Sequence, residues 1–168
     1  MLGLIKRLLG GNVSAHSERK EKMRRINTEF DIRMRELYDE RSMQISLLVA
    51  QLDKQLSELK SNHERERVRI NHKKDLFNDQ RSLMLKACRE NDTMTDVEKR
   101  DEIERIKTNH TEKVDCLRIE VIEIDDKYHR DRNAVMAKYN EQRLRINEDF
   151  NRKRGEAEMM KVKQMSEI

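Results

Sequence analysis

The chain has 168 residues, of which 37 are Lys or Arg and 33 are Asp or Glu; apolar types supply only 35%, and Trp and Pro are absent. A compact domain carries about 45–50% apolar and about 25% charged residues, so a sizeable globular core is excluded. The residues in excess (Glu, Lys, Arg, Leu, Met, Ile) suit helices, not the Pro- and Gly-rich composition of disordered chains, and point to long exposed helices.

The first twelve residues stand apart. Leu2, Leu4, Ile5, Leu8 and Leu9 gather five large apolar side chains beside Lys6 and Arg7. That run is too short for a secretory core or a membrane span. Gly3 falls one position away from where myristoylation needs it. Gly10 and Gly11 are expected to uncouple residues 1–12 from the rest as a short amphipathic docking segment. Its occupant would be a protein groove or an anionic membrane surface, unless it folds back on its own hairpin. Ser14 or Ser17 can cap the helix behind it.

Positive charge gathers in the same place. Residues 1–35 hold nine Lys or Arg against four Asp or Glu, while the whole chain nets only +4. Five of the seven positions from Arg19 to Arg25 are basic, namely Arg19, Lys20, Lys22, Arg24 and Arg25. Such a cluster suits anionic headgroups. A nucleic-acid or packaging role for residues 19–35 is the weaker alternative, because acids interleave and stacking aromatics are scarce.

A first long helix is expected over 13–90. Between Asn12 and Arg154 there is neither Gly nor Pro, so the two strongest breakers are missing. Apolar residues recur in steps of 3, 4 and 4, which places Ile26, Leu37, Leu48, Leu59 and Ile70 in one row at an 11-residue interval, with Leu52 alongside. Eleven residues in three turns, about 3.67 per turn, give a nearly straight or slightly right-handed coiled coil.

The one weak stretch is Asn91–Asp96, six poor or middling helix formers. It ends in Thr95-Asp96-Val97-Glu98, a capping-box pattern. We therefore expect a turn at 91–95 and a second helix over 96–166. There Ile106, Leu117, Tyr128, Tyr139 and Phe150 form a row at the same interval, with Val135 in a parallel row. RINTEFDIRMRE at 25–36 is echoed by RINEDFNRKRGE at 145–156.

Folding back midway between Thr93 and Met94 brings these rows face to face. Leu37 then meets Phe150, Leu48 meets Tyr139, Leu52 meets Val135, Leu59 meets Tyr128 and Ile70 meets Leu117. The expected fold is all-α, a long antiparallel helical hairpin with hendecad periodicity. Each helix would be about 110 Å long at 1.5 Å per residue. A single unbroken helix dimerised in parallel is the alternative. Acid-first pairs four apart, among them Glu21/Arg25, Glu29/Arg33, Asp101/Arg105, Glu148/Arg152 and Asp149/Lys153, would keep the helices soluble.

Chemistry is sparse. None of His16, His63, His72, His110 and His129 stands four residues from another His or a Cys, as a helical zinc site needs. In the hairpin register His63 faces Ile124 and His110 faces Phe77. Cys88 would face Lys99, about 25 Å along the axis from Cys116, so no disulfide is expected. There is no phosphate loop and no nucleophile motif. These features predict no enzyme, no cofactor and no metal, and a cytoplasmic setting at a membrane or within a large assembly. The expected role is a structural or adaptor coiled coil, self-associating or bound to a protein partner. Ile32, Met43, Leu83, Leu85 and Ile119 lie off the seam and would be available for that contact.

Overall fold

The computed structural model describes residues 16–168. The docking-segment residues Leu2, Leu4, Ile5, Lys6, Arg7, Leu8 and Leu9 lie outside the described residues. Two helices make up the fold, α1 (Leu2–Glu90) and α2 (Asp96–Ser166). They pack against each other as an antiparallel hairpin, the all-α arrangement expected from the two facing rows.

The turn is held by short-range chemistry. The backbone amide and hydroxyl of Thr93 both donate to Asn91 Oδ1, at 3.0 and 2.7 Å. Asn side chains favour such turns because they offer the backbone a local acceptor. The Lys99 ammonium donates to the Arg89 carbonyl at 3.2 Å, meeting an orphan acceptor at the C-terminus of α1. Cys88 Sγ lies 3.7 Å from the Lys99 carbonyl oxygen, so Cys88 faces Lys99 as the register required.

The capping box opens α2. Glu98 N–H donates to Thr95 Oγ1 at 3.3 Å, and Glu98 Oε2 accepts from the Thr95 amide at 2.7 Å and its hydroxyl at 2.8 Å. Those bonds favour the ionised carboxylate and hold Glu98 below the usual glutamate range.

The hairpin divides into two units, Met1–Gln51 with Lys138–Ile168, and Leu52–Ala137. In the first, Leu37, Leu48 and Phe150 are buried; in the second, Ile70, Cys88, Ile106 and Leu117 are. The other residues of the expected seam, Ile26, Leu52, Leu59, Tyr128, Val135 and Tyr139, are half-buried. Three interhelical hydrogen bonds join residues one position beyond the facing partners expected, through side-chain reach. Arg41 Nε donates to Asn147 Oδ1 in the first unit, and His63 bonds Asp125 and His110 bonds Asn78 in the second.

Four of the five off-seam residues (Ile32, Met43, Leu83 and Ile119) are exposed. Leu85 is the correction. It is half-buried, because Arg81, Leu85 and Cys88 continue the inward stripe of α1.

Ile70 is 2% exposed and Leu83 is 68% exposed. Ile70→Ala is expected to destabilise the chain by about 2–5 kcal/mol through lost transfer energy and a cavity. Leu83→Ala should stay within about 0.5 kcal/mol. Urea unfolding of the two variants measures the contrast.

Candidate functional site

The polar residues that interrupt the apolar rows decide what the seam can bind. In the unit Leu52–Ala137, His63 Nε2 lies 2.7 Å from Asp125 Oδ1, and its ring stacks on Tyr128 with centroids 4.5 Å apart. Arg67 reaches the other carboxylate oxygen at 3.6 Å. His63 thus meets Asp125, one residue beyond the expected Ile124. Beside it a cavity of about 500 Å³ runs between Leu59, His63 and Glu66 on α1 and Glu120, Ile124 and Tyr128 on α2. Lys73 closes onto Glu120 at 3.0 Å.

Further along the same unit His110 Nε2 lies 2.8 Å from Asn78 Oδ1, not opposite Phe77 alone as expected. Burial lowers the imidazole below the ordinary histidine value of 6.5, helped by Arg81 and then Lys113. Arg81 Nε is buried and has no acceptor.

In the other unit the interruptions are aromatic and ionic. Arg41 sits 5.0 Å from the Phe150 ring centroid, and Tyr38 packs against that ring, also at 5.0 Å. Lys153 bridges Glu40 at 2.8 Å and Asp149 at 3.0 Å. These bonds keep Lys153 above its ordinary range; Asp149 sits below its own, through Lys153 and then Arg152. Lys161 lies 4.3 Å over the Phe30 ring, beside a cavity of about 310 Å³.

The basic cluster Arg19, Lys20, Lys22, Arg24 and Arg25 is exposed throughout. Arg25 is held by Glu21 at 2.7 Å. Of the acid-first pairs, Glu21/Arg25 and Asp149/Lys153 form. Arg33, Arg105 and Arg152 instead reach the carboxylates of Glu36, Glu102 and Asp149, three residues away. Arg152 also binds Glu156. On a helix, spacings of three and four both bring side chains together, and rotamer fit selects between them.

Among the described residues no group of three or more His, Cys, Asp or Glu converges as a metal site, and no helix is long and apolar enough to cross a membrane. Cys88 is buried, Cys116 is exposed, and both are free thiols. No protein-family model, no curated protein and no solved structure matches the chain.

The lowered His110 sets a pH dependence. The unfolded chain binds that proton more readily than the folded one, so stability falls as pH drops from about 6.5 through the lower folded value. His110→Gln stays uncharged and can still donate to Asn78. Thermal unfolding between about pH 7.5 and 5 should show a shallower loss for this variant than for the parent.

Proposed function

We propose that the protein is a non-enzymatic structural or adaptor component, a hendecad coiled-coil hairpin that completes its apolar burial by joining a second copy or a protein partner. The observation that carries this reading is the balance of its large apolar side chains. Among the described residues, seven apolar ones are buried, whereas seventeen large apolar or aromatic ones remain exposed, among them Leu47, Val68, Leu83, Ile119 and Met160. Single exposed leucines are ordinary, but such a surplus over the core is a feature of chains that bury their surface by association.

Residues 1–12 supply the docking element in this reading, since their sequence gathers five large apolar side chains beside Lys6 and Arg7.

A second reading follows from the exposed basic cluster at Arg19–Arg25. There the first twelve residues lie in an anionic membrane surface and the cluster meets its headgroups. Flotation with anionic vesicles separates this reading from protein docking.

Sedimentation equilibrium over a wide concentration range tests association. A species heavier than the monomer, with a melting temperature that rises with concentration, is expected. The double substitution Leu4→Asp and Leu8→Asp should abolish partner or membrane capture and leave helicity intact. A monomer at every concentration, together with unchanged capture by the double variant, contradicts the adaptor reading.

A further inference from the structure

One groove in the unit Leu52–Ala137 differs from the other interhelical clusters in its charge. It lies between Phe77, Arg81 and Met84 on α1 and Ile106, His110 and Lys113 on α2, and encloses about 100 Å³. Arg81, Arg105 and Lys113 are its charged lining residues, and no carboxylate lines it. Arg105 is already satisfied, because both its Nε and Nη2 donate to Glu102, at 2.8 and 2.7 Å.

Arg81 and Lys113 are placed differently. Among the described residues no ion pair joins either of them to a carboxylate. Lys113 Nζ lies 5.3 Å from the Phe77 ring centroid, and Arg81 Nε is shut away from water without an acceptor. A buried donor that lacks an acceptor costs free energy, most of all on a charged group. The groove therefore holds two cations beside Phe77, Ile106 and the amides of Gln80 and Asn109, with a space larger than the roughly 30 Å³ that one water occupies.

We propose that this groove binds a small tetrahedral oxyanion, the phosphoryl group of inorganic phosphate or of a small phosphate monoester, held between Arg81 of α1 and Lys113 of α2. The guanidinium offers a planar fork suited to two oxygens, and the ammonium adds a point charge from the opposite helix. The side-chain amides of Gln80 and Asn109, also in the lining, can donate to the remaining oxygens.

His110 reports on occupancy. Its Nε2 faces Asn78 Oδ1, an acceptor, so that nitrogen carries the proton in the neutral ring. The charged groups set against it are Arg81 from α1 and Lys113 from α2. Arg105, five residues back, is neutralised by Glu102. An anion between Arg81 and Lys113 offsets the field that disfavours imidazolium. Binding and proton uptake at His110 are therefore linked, and the anion binds more tightly as pH falls toward the histidine range.

The test is an NMR titration of the His110 side chain in the full chain, in sodium sulfate and in sodium chloride at equal ionic strength. Sulfate stays dianionic throughout and stands in for phosphate. Sulfate should raise the His110 midpoint saturably, and chloride should not. Arg81→Gln, or Lys113→Gln if the first variant loses helicity by circular dichroism, should weaken sulfate binding about tenfold, the loss expected for one charge-assisted contact. Inorganic phosphate and O-phosphoserine, added at fixed pH, identify the source. Saturation by phosphate alone assigns the free ion, and saturation by both assigns a phosphoryl group in general. Equal responses to sulfate and chloride, or a sulfate response unchanged in both variants, overturn the proposal.

Discussion

A seam between only two helices gives each inward side chain neighbours on one wall, and everything else in this protein follows from that constraint. A single facing row can be buried, and the residues that achieve it recur at multiples of eleven. Leu37, Leu48 and Ile70 do so on α1, and Ile106, Leu117 and Phe150 on α2. Apart from Cys88, the positions beside that row are half-buried at best. They tolerate Arg41, His63 and Asp125 because the polar ends of these side chains reach partners across the seam. The same constraint leaves the outer surfaces of both helices uncovered, including apolar residues such as Val68 and Ile119.

Most of the fold was legible because it is encoded locally. Absence of Gly and Pro, an 11-residue apolar spacing and one capping box are each readable within a few turns, and the helix ends at Glu90 and Asp96 follow from them. Six of the seven buried residues were members of the two rows; Cys88 was recognised only as facing Lys99. What escaped depended on side-chain reach across the seam. Side-chain reach of one position joins His63 to Asp125 beside Ile124, and His110 to Asn78 beside Phe77. Asp125 in the second row and His63 in the first were both visible as interruptions, and their pairing needed only that reach. Arg33, Arg105 and Arg152 chose partners three residues away for reasons of rotamer fit, which spacing alone does not fix.

The charges do two kinds of work. On the outer faces they form short-range ion pairs among well-solvated side chains, each of little energetic weight. At the seam they bridge the two helices, as Lys153 does with Glu40 and Lys73 with Glu120. The carboxylates of Glu98, Glu102 and Asp149 are all displaced toward the ionised form by their hydrogen bonds. His110 departs from this pattern, since burial, and then Arg81 and Lys113, displace it toward the uncharged form. It marks a groove whose lining holds Arg81, Arg105 and Lys113 and no carboxylate.

Cysteine crosslinking tests the antiparallel pairing most directly. With Cys88 and Cys116 replaced, single cysteines at Leu48 and Tyr139 are expected to lie opposite each other across the seam, in the register that joins Cys88 to Lys99. Oxidation of the dilute chain should give an efficient intramolecular disulfide, seen as a faster-migrating monomer under non-reducing conditions. Disulfides formed only between chains would show that the helices pair between molecules, and would contradict the hairpin.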